Sequence, residues 1–429
     1  MEEKSIWKQY IQENKFPKLT ENIKTNVLII GGGITGILCA YELKKRKIDY
    51  VLVEKDIIGN ATTKDTTAFV TIQHETLYQD LVKDNNYSKA KEYLDLNIKA
   101  LDKYKDLSKK YNFDYQESSS CLYTNNNHQK ILDEIKVLNK LNYDTKVIRN
   151  FPLENNFKLG ISFSNQAIIN PIKLINCLSQ ELKIYENTFI KKISFNNAYT
   201  EDNIKIDFDN VIITTHYPLI NISGFYFPRL TQKRSYVCAI KYNKELEGTY
   251  CSIDEDGLYF RKYKEYLIIG GNDRDLKDDF KFEFIDKIKS LNIGEIEYLW
   301  SGQDCISIDG IPYIGRYDMF HNNYYVATGF NLWGFTWAMA SSFILADMIE
   351  LNKTYPLVNP RRFCVNKKLF INAKTFITSM VKFKTPRCKH MGCALKYNIK
   401  EKVWECPCHG SRYDNDGNVL DGPSIKTLK

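Results

Sequence analysis

Near the C-terminus, Cys388-Lys389-His390-Met391-Gly392-Cys393 is followed, with fifteen residues between His390 and Cys406, by Cys406-Pro407-Cys408-His409-Gly410-Ser411. Thiolates and neutral imidazoles are good ligands for iron and zinc. Two Cys-His pairs on two loops can place two thiolates on one iron and two imidazoles on the other iron of a two-iron, two-sulfide cluster. The same Cys388, His390, Cys406 and His409 also make a four-coordinate zinc set. Cys393 and Cys408 favour the cluster, because they stand at matching places in the two loops and a zinc site has no use for them. Cys39, Cys121, Cys177, Cys238, Cys251, Cys305 and Cys364 lack ligand spacing and read as small buried thiols.

A second constellation lies at the other end of the chain. Residues 27–30, Val-Leu-Ile-Ile, form an apolar run without alternation, the pattern of a parallel strand buried on both faces. The run ends in Gly31-x-Gly33-x-x-Gly36, after which Ile37, Ala40, Tyr41 and Leu43 share one helix face. Gly31 permits a tight turn, Gly33 a close approach of backbone to a pyrophosphate, and Gly36 close packing of helix on strand. The helix start presents free N–H groups and a positive dipole end to the phosphates. A second strand over 50–53 ends in Glu54, eighteen residues past Gly36, where an acid accepts ribose hydroxyls. Strand, turn, helix, strand and acid in this order predict dinucleotide binding. Residues 58–68, rich in Gly, Asn and Thr and containing Thr63, suit a loop that wraps the cofactor, with an ordinary surface loop as the alternative. Thr328-Gly329-Phe330-Asn331-Leu332-Trp333-Gly334 opens a later helix, and Gly329 and Gly334 there suit the electron-rich end of a reduced flavin.

The elements that must position these residues follow from periodicity. Residues 77–110 and 129–141 read as amphipathic helices, as does 171–182. Strand patterns occur at 159–164, 183–195 and 204–214, and the buried run 211–215 belongs back in the cofactor sheet. Three strand runs between 229 and 272, with a hairpin about Tyr263, predict an antiparallel sheet inserted between returns to the first domain. A strand over 324–327 precedes the helix from Gly334 to about 350. Residues 1–24 read as a polar lead-in with one short helix, and 360–380 as a connecting segment and helix.

At 429 residues, 43% hydrophobic and 26% charged, the chain can form two or three domains around a large core. No apolar stretch follows the charged N-terminus, so neither signal nor transit peptide is indicated and a cytoplasmic protein is expected. The longest apolar run, 332–349, contains Thr336, Ser341, Ser342 and Asp347 and reads as a buried helix rather than a membrane span. The net charge of +8 comes from scattered lysines. It reads as solubility, or as docking for an acidic redox partner. No nucleic-acid module is visible.

Over residues 25–352 this ordered set resembles the D-amino-acid-oxidase-like family of FAD oxidoreductases. The resemblance implies Gly31, Gly33 and Gly36 on the FAD pyrophosphate, Glu54 on the adenosine ribose, and Gly329 to Gly334 at the flavin. It implies an α/β, Rossmann-like (glutathione-reductase-like) FAD domain from about 25–75, 165–215 and 300–352, with an inserted α+β substrate domain from about 76–165 and 216–300. The family oxidises amines and amino acids by hydride transfer from a C–H beside nitrogen. Its sheet over the flavin often carries an arginine for the substrate carboxylate, here Arg261 in Tyr259-Phe260-Arg261, with Arg234 as a rival and a surface ion pair as the plain reading.

The C-terminal loops resemble the Rieske 2Fe-2S family, with Lys389 and Met391 as departures. That resemblance implies Cys388, His390, Cys406 and His409 as ligands and a Cys393–Cys408 disulfide. It also implies Ser411 and Tyr413 as hydroxyls that hydrogen-bond the sulfurs and place the potential toward the upper part of roughly −150 to +300 mV. A small all-β Rieske-type module is expected over 381–429, after a connecting segment and helix at 353–380. Base strands before the first loop are missing, and 49 residues are too few for an independent core, so the tail must lean on the FAD domain or a partner.

The leading expectation is an amine or amino-acid dehydrogenase that passes single electrons through the cluster to an external one-electron acceptor. An NAD(P)H-fed electron-transfer reductase is the alternative, weakened by the lack of a second Gly-x-Gly-x-x-Gly after a strand. A non-catalytic zinc-stabilised protein is the third reading. An oxygenase would need a mononuclear iron site, for which His74, His128, His216 and His321 lack paired spacing.

Overall fold

The computed structural model describes all residues except 14, 83–86, 150–157, 221–222, 276–279, 363, 383–384 and 429, and describes 272–275 by backbone alone. The apolar strand Ile23–Ile30 lies between Tyr50–Val53 and Lys205–Ile213, parallel to both. Lys205–Ile213 pairs in turn with parallel Tyr324–Thr328, so the run around Val211 does return to the cofactor sheet. Helices Ile34–Lys45 and Gly334–Leu351 pack against one another. The second is buried from Phe335 to Asp347, and among the described residues no helix is long and apolar enough to cross a membrane.

A nine-stranded, mostly antiparallel sheet forms the second body. Its order runs from Ile296–Ser307 through Leu230–Lys241, Tyr266–Asp275, Leu258–Tyr263, Thr249–Ser252, Gln116–Thr124 and Leu159–Ile168 to Phe69–Val70. The expected hairpin is present, with Tyr263 paired to Tyr266 and Lys264 in the turn at φ 52°. Thr249–Ser252 and Leu258–Tyr263 are joined by a tight turn in which the Gly257 N–H bonds to the Asp254 carbonyl.

The first residues are not the polar lead-in that composition suggests. Glu2 bridges Tyr298, and Ile6 and Trp7 are buried. Trp7 donates from Nε1 to the Thr66 carbonyl at 2.7 Å and stands edge-on to Tyr263 at 4.6 Å. Ser5 donates to the Lys64 carbonyl. The N-terminal segment therefore clamps the 62–67 loop against the second sheet.

Four short antiparallel strands, Lys396–Asn398, Val403–Glu405, Arg412–Tyr413 and Val419–Asp421, make the C-terminal sheet. Its buried core is small: Cys388, Cys393, Leu395, Cys406 and Tyr413. Support comes from the second sheet, through paired charges. Arg234 meets Glu405 at 2.9 Å, the Tyr236 hydroxyl donates to Glu401 at 2.5 Å, and Arg412 binds Glu401, Glu405 and Asp421 at 2.5, 3.3 and 3.1 Å. Gln303 adds a 3.1 Å bond to the Gly410 carbonyl. Burial alone would raise the Glu401 carboxyl, but the Arg412 charge beside it brings it below its usual range.

Removing one partner of such a network strands the others in a dry interface. Arg412→Met should lower stability by about 3–5 kcal/mol, read as a shift in denaturation midpoint and as faster proteolysis of the tail. Because Glu401 ionises more readily folded than unfolded, its contribution is full above its ordinary 4.5 and fades as pH falls through the folded value. An unchanged midpoint in the variant would mean that the charges are incidental to docking.

Candidate flavin site and iron-sulfur site

The glycine loop has the stereochemistry that its sequence requires. Gly31 has φ +112°, and a Cβ there would lie 2.7 Å from the Thr214 carbonyl oxygen. A Cβ on Gly36 would stand 1.9 Å from the Gly31 carbonyl oxygen, so any side chain would force strand and helix apart. Gly33 differs, because its Cβ would meet only the Thr63 hydroxyl, at 3.3 Å. The space beside Gly33, at the start of helix Ile34–Lys45, is one that a pyrophosphate could occupy.

Thr63 and Glu54 frame this space. Thr63 Oγ1 accepts from the Ile34 N–H at 3.0 Å, which brings the 62–67 loop onto the helix start. Glu54 accepts from the Gly32 N–H at 2.7 Å and the Asp56 N–H at 3.0 Å. Burial pushes its carboxyl up, and those two N–H groups draw it back. Thr214 closes the back of the loop, donating to the carbonyls of Ile30 and Gly31 at 3.0 and 3.1 Å.

The second glycine segment adjoins the second sheet. Gly329 has φ +72° and packs toward Leu230 and Ser307, and Gly334 begins its helix with Phe330, at 4.0 Å, as the nearest neighbour of its would-be Cβ. Asn331 and Leu332 are also left-handed, at φ 55° and 74°. Asn331 is tied to strand Ile296–Ser307 by its N–H on the Cys305 carbonyl at 3.1 Å and its side-chain oxygen on the Ser307 N–H at 2.9 Å.

Arg261 is held by the loop after Thr66. The side chain is fully buried, and Nη1 donates to the carbonyls of Thr67, Ala68 and Ile169 at 2.6, 2.8 and 3.2 Å. Trp7 and Tyr263 cover the guanidinium, and burial lowers its pKa to about 9. Nη1 thus tethers the loop after Thr66, while Nε and Nη2 are buried without a hydrogen-bond partner. Arg234 is equally engaged, with Glu405.

At the other centre both loops converge. The sulfurs of Cys393, Cys406 and Cys408 lie within 4.8 Å of one another, and hydrogen bonds from the Cys388 and Cys393 thiols pull the Cys406 thiol below its ordinary range. His390 and His409 stand at right angles with ring centroids 5.2 Å apart. Burial keeps both neutral, lowering their pKa values to about 3 and about 4. Nδ1 of each ring is buried without a hydrogen-bond partner, while His409 Nε2 donates to the Phe227 carbonyl at 2.9 Å. Two orphaned Nδ1 atoms beside clustered thiols fit a metal centre with mixed imidazole and thiolate ligation. All eleven cysteines are free thiols, so the expected Cys393–Cys408 disulfide is corrected to a pair of neighbouring thiols that share contacts with Cys406. Cys177 and Cys364 are half-buried, whereas the other five isolated cysteines are buried as expected.

Tyr413 and Ser411 support the loops. The Tyr413 hydroxyl lies 3.5 Å from Cys388 Sγ and accepts from the Lys389 N–H at 3.0 Å, leaving its own proton for the sulfur. Ser411 Oγ accepts from the Ser424 N–H at 2.9 Å. Two residues escaped the sequence reading. Tyr217, four residues past the cofactor strand, has its ring 5.0 Å from His390 and 5.2 Å from His409. His74 is buried neutral, bonded to Tyr93 and Thr71 and stacked 4.8 Å from Trp333 in the second glycine segment. Neither lies in a motif; each becomes visible only when distant segments meet.

The profile of FAD dependent oxidoreductases matches residues 26–348. The chain belongs to that family. A Rieske [2Fe-2S] domain profile matches residues 362–429, so FAD and a 2Fe-2S cluster are the cofactors of this oxidoreductase. Along nearly its full length, 99% of this chain and 97% of the relative, it is 31% identical to the Rieske 2Fe-2S iron-sulfur protein YhfW of Bacillus subtilis. Over 41 residues, 10% of this chain and 23% of the relative, it is 54% identical to the cytochrome b6-f complex iron-sulfur subunit of a Cyanothece species. In fold it is similar to L-proline dehydrogenase from P. horikoshii, with TM-score 0.69 and 21% identity over 80% of this chain and 98% of that one. It is also similar to glycine oxidase from Bacillus cereus, with TM-score 0.65 and 17% identity over 80% and 100%.

Two substitutions test these sites. Gly33→Glu should abolish FAD retention while leaving the far-ultraviolet dichroism unchanged, because the new side chain enters the pyrophosphate space and not the core. Stoichiometric flavin in the purified variant would refute the loop's role. Tyr413→Phe removes one hydrogen bond to a sulfur at a site where the reduced cluster carries more negative charge. The midpoint potential should fall by about 60 mV, the equivalent of a charge-assisted bond of about 1.5 kcal/mol for one electron, with iron content unchanged. An unaltered potential would place the hydroxyl outside the cluster's reach.

Proposed function

We propose that the protein is a dehydrogenase of amines or amino acids that passes electrons one at a time from the flavin site, through the Rieske centre, to an external acceptor. The observation that carries this reading is the place of Tyr217. Its ring packs on both imidazoles, and its backbone is bonded to Thr215, next to the Thr214 that closes the glycine loop. The imidazole edge of the cluster site therefore looks into the FAD domain rather than into water.

Bound FAD supplies a two-electron acceptor and the cluster a one-electron outlet. The chain's residues do the positioning. Gly33, Thr63 and Glu54 would hold the dinucleotide end, while Gly329 to Gly334, fixed by Asn331, would face the ring. Cys388, Cys406, His390 and His409 would hold the iron. Cys393 and Cys408 stand close enough for their loops to be joined under oxidising conditions. His74, neutral and locked against Trp333, keeps a charge out of the flavin region. A substrate losing hydride from the carbon beside nitrogen leaves as the iminium, and the two electrons depart singly. The named relatives in fold, L-proline dehydrogenase and glycine oxidase, support an amino-acid or amine donor. Nη1 of Arg261 and Nη1 of Arg234 are engaged inside the protein, so neither guanidinium offers its whole fork to a carboxylate.

Anaerobic mixing of the holoprotein with a panel of amines and amino acids tests the proposal. A true substrate should bleach the flavin and then produce the rhombic EPR signal of a reduced Rieske centre. Tyr217→Ala should slow the second step by about tenfold or more if a packed aromatic contact carries the coupling, with the first step unchanged. Reduction by NADH alone would favour the reductase reading, and flavin bleaching with a permanently oxidised cluster would sever the proposed route.

A further inference from the structure

Residues 351–400 contain twelve lysines and arginines and no aspartate or glutamate. The whole chain carries only +8, so the rest of it sums to −4. The cations that look scattered along the sequence are thus dense in this acid-free segment, which spans the helix Lys367–Met380 and the first cluster loop.

The helix is fastened along one side only. Asn372 donates to the Pro228 carbonyl at 3.0 Å, Phe376 packs on Phe227 at 4.9 Å, and Ser379 bonds to both the N–H and the carbonyl of Ala394. Among its residues Ser379 alone is buried. The other side is apolar where a surface helix should be polar. Phe370, Ile377 and Val381 are 65%, 62% and 61% exposed and, at steps of seven and four residues, form one line along the helix. Ile371 and Met380 flank it, exposed to 46% and 42%, and Lys367 and Lys374 stand exposed on the same outward side.

Scattered exposed apolar residues need no explanation, but a contiguous line of them on a lysine-only helix does. A convex ridge of Phe, Ile and Val with lysines beside it, and no acid anywhere near in sequence, matches an anionic lipid surface. The apolar side chains enter the boundary between headgroups and acyl chains, and the lysines reach up to the phosphates. We propose that the helix Lys367–Met380 is an in-plane anchor that seats the protein on an anionic membrane. It holds the first cluster loop there as well. Arg387 bonds to the carbonyls of Ser379, Met380 and Gly392, so helix end and ligand loop move as one piece. An electron acceptor dissolved in the bilayer would then meet the cluster loop first. Lipid binding itself does not depend on the proposed electron route, and it is measured without substrate.

The test uses the full-length holoprotein with vesicles of phosphatidylcholine alone and of phosphatidylcholine with about one-third phosphatidylglycerol, because the anionic lipid supplies the field that lysines sense. The protein should co-sediment with the second kind and not the first. A Phe370→Ser, Ile377→Ser, Val381→Ser triple variant should lose at least about tenfold in vesicle affinity, with flavin absorbance and the cluster's EPR signal unchanged. Lys367→Glu with Lys374→Glu should abolish the preference for the anionic lipid. Three outcomes would overturn the proposal. The first is equal binding of wild type and triple variant. The second is no vesicle binding but salt-sensitive cross-linking to a small acidic ferredoxin, which would make the face a protein-docking site. The third is a dimer in solution that the triple variant splits, which would make it a contact between two copies.

Discussion

Arg412 is the residue on which the arrangement of the two centres depends. Its guanidinium gathers Glu401 from a turn and Glu405 and Asp421 from the strands around it, and the first two of these acids also receive Tyr236 and Arg234 from the second sheet. A four-stranded sheet of two- and three-residue strands buries too little apolar surface to stand alone. Charged interfaces are costly to dry, and this one persists because every acid finds more than one donor or a donor of fixed geometry. The tail therefore has one seat rather than many. That fixed seat turns the imidazoles of His390 and His409 toward Tyr217 and Phe227.

The parts of this structure that were legible in the sequence are those in which a few consecutive residues decide the outcome. Gly31, Gly33 and Gly36 define a turn through their own backbone freedom, and the strand before them is identified by an unbroken apolar run. The cluster loops are legible for the same reason, since ligand spacing survives any change of surroundings. Arg261 marks where this ends. Its type suited a carboxylate, but its role is set by carbonyls at 67, 68 and 169, up to 194 residues away. Trp7 is the same case seen from the other side, a residue in a charged lead-in whose partners lie at 66 and 263. The cysteines carry a related lesson. Matching positions in two loops signal proximity, which the structure bears out, but proximity of Cys393 and Cys408 is not a bond.

Tyr217 joins these two levels. Its neighbour strand was readable as a buried return to the cofactor sheet, yet nothing in residues 211–217 indicates that an aromatic ring is needed at its end. The need arises only once the tail is seated. The ring then fills the gap between the end of strand Lys205–Ile213 and the imidazoles of His390 and His409, from a segment about 180 residues later.

The clamp made by residues 2–7 has a consequence for the order of folding. Lys64 and Thr66 are near in sequence, but Glu2 pairs with residues 297–299 and Trp7 rests on Tyr263, so the clamp closes only when segments far apart in the chain have met. At a ribosome's pace of roughly 5–20 residues per second, the later partner of each contact follows the earlier by about 13 to 60 seconds. Throughout that interval the Trp7 ring lacks the Tyr263 face that covers it. The clamp is thus completed late, and the time before it closes is the window in which chaperones have the most to hold.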